Sequence, residues 1–355
     1  MTDTENDRLT APTPDRALDI HALTSFLDSA VGGLSGPLWA RLLSGGRSNP
    51  TYIVGDDLRE WVLRRPPHGL VLASAHDMGR EVRVLRALHG TAVPVPAVIA
   101  HDLAGAVLGV PFYVMERVEG KAISDVADAA RLEPEQRRRL GEAMVDVLAA
   151  LHTVDVDQVG LGDWGRPTGF LERQLGVWRR QWEAVRTRDR PEIADLLDRL
   201  SRSVPPTRRT GVVHGDFKLD NVLVDCADQA SIRGVLDWEM STRGDVLTDL
   251  GILISFWDEP DGVVNPVTGG LTALPGFPSR AELVERYAAL TGADVERLDW
   301  YAVLADLKIA VILEQIHARH EQGHTVGSGF ADVGAMVDPL LQRAITRADA
   351  ARIGR

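Results

Sequence analysis

The chain has 355 residues, more than a single compact core accommodates, so its length predicts two lobes. Hydrophobic residues make up 45 % and charged residues 25 %, an ordinary globular balance. The 39 Lys and Arg against 51 Asp and Glu give a net charge of -12, which argues against broad contact with a nucleic-acid phosphate backbone. That charge suits either a cationic partner or plain solubility. The single cysteine, Cys226, leaves no intrachain disulfide and no cysteine-based metal cluster.

Met1 to Arg16 is polar and lacks an apolar core, which predicts a disordered leader over residues 1–16 and not a signal peptide. No apolar run reaches membrane-spanning length, so the expectation is a soluble cytoplasmic protein, monomer or homodimer, with no membrane or nucleic-acid partner. Leu18, Ala22, Leu23, Phe26 and Leu27 recur at helical spacing. Leu42-Leu43 and Tyr52-Ile53-Val54 then flank a turn holding Gly45, Gly46, Ser48 and Asn49. Glycine lets backbone N–H groups approach phosphate oxygens, although alone this stretch reads first as an ordinary hairpin turn. No Gly-Lys-Ser/Thr follows, so it is not a Walker loop. Trp61 to Leu63 is a strand with Arg64 and Arg65 at its end, placed either to hold phosphates or to be solvated. A helix marked by Met78, Val82, Leu85 and Leu88 carries Glu81 on or beside its buried face. A buried carboxylate needs a partner, and Arg64 is the natural candidate. Strands follow at Ala97 to His101, Val107 to Val110 and Pro111 to Val118.

From Glu133 the pattern turns helical. Pro134 suits a first turn, and Leu140, Met144, Leu148 and Leu151 mark one face ending at His152, read as a satisfied helix-end histidine. Leu171, Leu175, Trp178 and Trp182, and then Ile193, Leu196, Leu197 and Leu200, mark two more helices, read as packing stripes. Asp245 to Ile254 predicts a helix with Asp245 and Asp249 in its first turn, where carboxylates suit the helix dipole or could brace a neighbouring loop. Ser279 with Glu282 forms a capping box, and helices are expected at Leu298 to His320 and Val333 to Ala351. Residues 121–355 thus read as helix-rich around one small central sheet.

That sheet holds the chemistry. Short β-type runs at Val212-Val213, Val222 to Val224 and Val235-Leu236 bracket His214-Gly215-Asp216-Phe217-Lys218-Leu219-Asp220-Asn221 and end on Asp237-Trp238-Glu239. Asp216, Asn221 and Asp237 offer hard oxygen donors at strand ends, the kind Mg2+ uses together with substrate phosphates. Their order is base, metal ligand, metal ligand, as in kinase catalytic loops.

With the sheet-rich start and helical remainder, these paired motifs resemble the aminoglycoside phosphotransferase and choline kinase family over about residues 20–345. Val62 to Pro67 and Tyr113 to Gly120 look most like its branch associated with acyl-CoA dehydrogenases. The resemblance implies an α+β, bilobed protein-kinase-like fold. Its N-terminal antiparallel sheet lobe (17–118) has one key helix and binds nucleotide, and its larger helical C-terminal lobe (119–355) binds the acceptor. It implies ATP and Mg2+ as cofactors and phosphoryl transfer to a hydroxyl of a small molecule. By position, Asp216 would be the catalytic base or hydroxyl orienter, and Asn221 and Asp237 would ligate Mg2+. Lys218 would add a cation near the transferring phosphate, or stay solvated. Gly45, Gly46, Ser48 and Asn49 would cover phosphates, and Glu116, Arg117 and Val118 would belong to the hinge that meets adenine. Arg64 departs from the family, standing where many relatives have a phosphate-binding lysine, and would pair with Glu81. Asp245 and Asp249 would serve as structural bracing.

A nucleotide-binding pseudoenzyme would lack one of Asp216, Asn221 or Asp237, and all three are present. A metal-dependent phosphoesterase needs clustered His and Asp for two metals, and the ten histidines here are scattered. For the acceptor, the negative charge suits an aminoglycoside, whereas the branch resemblance suits a hydroxylated acyl or other metabolic compound.

Overall fold

The computed structural model describes residues 18–43, 49–67, 77–323, 330 and 332–355. The predicted leader at 1–16 and the turn residues Gly45, Gly46 and Ser48 lie outside the described residues. The chain divides into two compact units, residues 1–89 with 95–118 and residues 90–94 with 119–355. Among the described residues no helix is long and apolar enough to cross a membrane.

In the first unit, helix α1 (Ile20–Val31) precedes strands β1 (Trp39–Leu42), β2 (Thr51–Gly55) and β3 (Glu60–Arg64), helix α2 (Met78–Leu88), and strands β4 (Val98–Asp102) and β5 (Phe112–Glu116). The strands form one antiparallel sheet in the order β1-β2-β3-β5-β4. Strand side chains alternate between faces. Leu63, Phe112 and Val114 accordingly join Leu23 and Leu27 of α1 in one apolar core. The alternate residues Arg64 and Tyr113, paired in register, meet Glu81 of α2 on the other face. Val107 to Val110, expected as a strand, is a turn instead. Gly105 and Gly109 take left-handed φ of 72° and 73°, and the Asp102 carboxylate caps the Val107 N–H at 2.7 Å.

The β2–β3 hairpin turns on Asp56, which is 4 % exposed. Its carboxylate accepts backbone N–H groups of Ser35, Leu58 and Arg59, at 3.0, 2.9 and 2.7 Å, and the Arg59 guanidinium. Burial pushes this carboxyl up, but those donors outweigh it and hold it well below the usual carboxylate range. A depressed folded-state pKa contributes stability that is present above the unfolded value of about 3.9 and lost as pH falls below it. Asp56→Asn should therefore melt several degrees below wild type at pH 7, and the gap should shrink between pH 5 and pH 3. A gap independent of pH in melting curves would reject the account.

The second unit holds α3 (Val126–Ala130), α4 (Pro134–Thr153), α5 (Phe170–Val185), α6 (Pro191–Arg202), β6 (Thr210–Val213), β7 (Val222–Val224), β8 (Ile232–Val235), β9 (Thr242–Asp245), α7 (Leu247–Phe256), α8 (Arg280–Thr291), α9 (Leu298–Glu321) and α10 (Val337–Ala350). The apolar stripes of α5 and α6 are buried as their spacing requires. Helix α9 is buried on nearly all sides and packs against α5, α7 and α10. The expected single central sheet is two separate antiparallel ribbons, β6–β9 and β7–β8. Asp245, expected in a helical first turn, ends strand β9 and caps α7 from outside, accepting the Leu247 N–H at 3.1 Å.

Candidate active site

Strand β6 delivers His214, Gly215 and Asp216 to its end, and a single 3-10 turn at Leu219–Asn221 leads into β7. Gly215 has a left-handed φ of 86°, and a side-chain carbon there would stand 2.6 Å from the Met240 carbonyl oxygen. Glycine alone fits that turn. The Asn221 amide donates to both the backbone and the carboxylate oxygen of Asp216, at 2.8 and 2.9 Å. Lys218 pairs with the same carboxylate at 3.1 Å and with Asp220 at 3.6 Å, while its ammonium sits 5.0 Å from the Phe256 ring centre. Burial pushes Asp216 up, but the Lys218 and Lys308 ammonium groups hold it below the usual carboxylate range. Burial likewise pulls Lys218 down, and Asp216 and Asp220 together raise it above its ordinary value. The site therefore presents an ionised carboxylate and a firmly protonated lysine side by side.

The β7–β8 ribbon brings the second half of the motif alongside. The Leu236 N–H donates to the Asn221 carbonyl at 2.8 Å, so Asp237 follows directly beside Asn221. Asp237 adopts φ 63°, a left-handed conformation costly for a residue with a side chain and characteristic of functional loops. His214, fully buried, links the two halves. Its Nδ1 accepts the Asp216 N–H at 3.1 Å, so Nε2 carries the hydrogen and donates to the Leu236 carbonyl at 2.9 Å. Its ring lies against Trp238, centroids 4.6 Å apart.

Asp249 anchors the loop from below. Its two carboxylate oxygens accept the backbone N–H groups of His214 and Gly215 at 2.6 and 2.8 Å. His152 donates to the same carboxylate at 3.3 Å and accepts from the Tyr287 hydroxyl at 2.6 Å. It is thus a satisfied, buried histidine, and Asp249 braces the loop. Two contributions escaped the sequence reading. One is the imidazole bridge of His214. The other is Lys308 of α9, whose ammonium donates to the Gly215 carbonyl. A lysine inside the otherwise apolar run Leu307 to Leu313 was the available signal for it.

In the first unit the structure brings Arg64 and Glu81 together at 3.2 Å, with the Tyr113 hydroxyl donating to Glu81 at 2.7 Å. Arg65, read as a candidate for solvation, is fully buried instead, donating to the Pro66 carbonyl and the Tyr52 hydroxyl at 3.0 and 3.1 Å. Asn49 is buried, its carbonyl accepting the Thr51 hydroxyl. Glu116 ends β5 and accepts the Ala97 N–H at 3.3 Å, Arg117 pairs with Glu60, and Val118 is half-buried. Among the described residues no group of three or more His, Cys, Asp or Glu could hold a metal. Asn221 and Asp237 still fit the magnesium pattern of one carboxylate, a further oxygen and the phosphates of a nucleotide. Both Asn221 amide hydrogen bonds to Asp216 run through its nitrogen, which turns the amide oxygen away from that carboxylate.

The model of the phosphotransferase enzyme family matches residues 39–301. Acyl-CoA dehydrogenase family member 11 of Gallus gallus is 32% identical over 91% of this chain and 41% of its own. The Homo sapiens protein of the same name is 30% identical over 93% and 43%. The chain thus spans about two-fifths of the length of these curated relatives. A crystal structure from Ralstonia eutropha, provisionally named an aminoglycoside phosphotransferase, superposes with a TM-score of 0.80 at 31% identity, covering 94% of this chain and 99% of that one. A mutant aminoglycoside phosphotransferase in complex with ADP and hygromycin B gives a TM-score of 0.59 at 20% identity, over 90% and 98%. These likenesses show a kinase-like fold, with an N-terminal antiparallel sheet followed by a largely helical remainder.

Proposed function

Since this chain belongs to the phosphotransferase enzyme family, we propose that it transfers the γ-phosphoryl group of ATP to a hydroxyl group of a small molecule, with Mg2+. The observation that carries this reading is the partly exposed Asp216 carboxylate, fixed by Asn221 and Lys218. Asp216 accepts a hydrogen bond from the acceptor hydroxyl and orients it. As the new O–P bond forms and the bond from the γ-phosphorus to the ADP oxygen breaks, the hydroxyl proton passes to Asp216. A carboxylate held below its usual range is a weak base, and that suffices. Phosphoryl transfer has a loose transition state in which positioning and charge neutralisation carry most of the catalysis. Lys218 contributes positive charge beside the carboxylate, and Arg64, steadied by Glu81, grips nucleotide phosphates. Asn221 and Asp237 would hold Mg2+, which neutralises phosphate charge when bound.

The test is ATP consumption across aminoglycosides, choline-like alcohols, sugars and hydroxyacyl-CoA compounds, with the phosphorylated product followed by phosphorus NMR. ATP-dependent formation of a phosphate ester supports the reading. No nucleotide binding and no product with any acceptor class would reject it. Asp237→Ala should weaken MgATP binding by about 10-fold or more and metal-free ATP binding far less, because a ligand of the metal is lost and no direct nucleotide contact. Equal losses in calorimetry with and without Mg2+ would remove Asp237 from the metal site.

A further inference from the structure

Helix α9 carries two charged residues in its most buried stretch, and they are treated differently. The Asp306 charge is answered by Arg347 at 3.0 Å and Arg343 at 3.6 Å. Lys308, 7 % exposed, has no carboxylate oxygen within ion-pairing distance among the described residues. A buried ammonium without such a partner is costly to desolvate. Its presence calls for a role other than packing.

The contacts of Lys308 define that role. The ammonium donates to the Gly215 carbonyl and lies 5.6 Å from the centre of the Trp178 indole, a cation–π arrangement. It borders a cavity lined by Trp178, Gly215, Met240 and Thr248, and the buried Thr248 hydroxyl has no hydrogen-bond partner among the described residues. The Gly215 carbonyl belongs to the peptide that joins Gly215 to Asp216. The other end of that peptide, the Asp216 N–H, is held by His214 Nδ1 at 3.1 Å. This peptide plane is therefore fixed at both ends, by an imidazole on one side and an ammonium on the other. Left-handed Gly215 is the residue whose backbone rotates most freely, so without the Lys308 bond the plane can turn and carry the Asp216 carboxylate with it.

We propose that Lys308 is a positioning residue, holding the Gly215–Asp216 peptide plane so that the Asp216 carboxylate is aimed for phosphoryl transfer. Burial lowers the pKa of Lys308, and the Asp216 and Asp249 charges oppose that shift. These carboxylates, with Lys218, are the charged groups that act on it. The catalytic consequence rests on the phosphotransfer reading; the control of the loop does not.

Lys308→Met keeps volume and flexibility and removes the ammonium. The expected result has three parts. The melting temperature falls by only a few degrees, the cost of one buried carbonyl left without its donor. Amide hydrogen exchange in the peptide 212–221 speeds up by about 10-fold, with the rest of the second unit unaffected. ATP turnover falls about 10- to 100-fold at an unchanged KM for ATP, the size of losing one hydrogen bond from a charged donor. A drop of about ten degrees or more in melting temperature, with exchange faster throughout the second unit, would make Lys308 a packing residue and overturn the proposal. Unaltered exchange in 212–221 would overturn it as well. If wild type turns over no ATP with any acceptor, the phosphotransfer reading fails, and the exchange measurement still decides whether Lys308 holds the loop.

Discussion

Asp216→Asn should lower ATP turnover by about 10^2- to 10^4-fold, the usual loss for a group that handles the proton and orients the nucleophile. The substitution preserves the shape of the side chain, and the remaining amide oxygen can still accept from Asn221, which donates at 2.9 Å in the wild type. What disappears is the negative charge opposite Lys218, 3.1 Å away, and the ability to take a proton. Nucleotide binding should therefore survive within a few-fold, because Asp216 is assigned to the acceptor hydroxyl and not to phosphate or metal. The check is steady-state turnover with an acceptor from the screen, paired with calorimetric binding of MgATP. Turnover within about threefold of wild type would strip Asp216 of its role. Loss of nucleotide binding would move it from the hydroxyl to the metal.

Asp249→Ala should destabilise the second unit by about 3–5 kcal/mol and abolish measurable turnover together with it. Asp249 is wholly buried beneath the loop, so the effect is structural in origin. The N–H groups of His214 and Gly215, now 2.6 and 2.8 Å from a carboxylate oxygen, would be left buried without an acceptor, and so would the His152 ring. Each such bond to a charged acceptor contributes about 1.5–3 kcal/mol. Asp249→Asn should be nearly as severe, because one oxygen of an amide accepts while its NH2 group faces an N–H donor. Urea unfolding gives the comparison. A loss below about 1 kcal/mol for the alanine variant would mean that the loop is held by other contacts.

The two substitutions separate two kinds of dependence. Asp216 sits on the loop and should cost turnover with little stability, whereas Asp249 sits under the loop and should cost stability first. Lys308 falls between them, costing turnover and local order with little global stability. The acid dependence of Asp56 belongs to neither, since it resides in the hairpin of the first unit.

Much of this was written in local sequence. The 3.6-residue stripes of α4, α5 and α6 and the capping box of α8 needed no tertiary information, because helix periodicity and end-capping act within a few residues. The spacing of Asp216, Asn221 and Asp237 is likewise local, one 3-10 turn followed by the β7–β8 hairpin, and the structure puts Asn221 on Asp216 and Asp237 next to Asn221. Arg64 and Glu81 also met as expected, because a carboxylate on a buried helix face has few partners to choose from. Local patterning failed where pairing decided the outcome. Val107 to Val110 has strand-like composition, but two left-handed glycines and the Asp102 cap bend it into a turn. Asp245 reads as a first-turn helix residue, but the ladder with β6 claims it as the end of a strand.

The sequence by itself determined the chemistry-bearing loop, the helices that surround it and the family to which the chain belongs, because each is carried by residues close together along the chain. Only the tertiary structure decided how that loop is held: His214 bridging to Leu236, Asp249 beneath two backbone N–H groups, and Lys308 reaching the Gly215 carbonyl from a helix 93 residues away. Such contacts depend on which helix face packs against which loop, and no spacing along the chain encodes that.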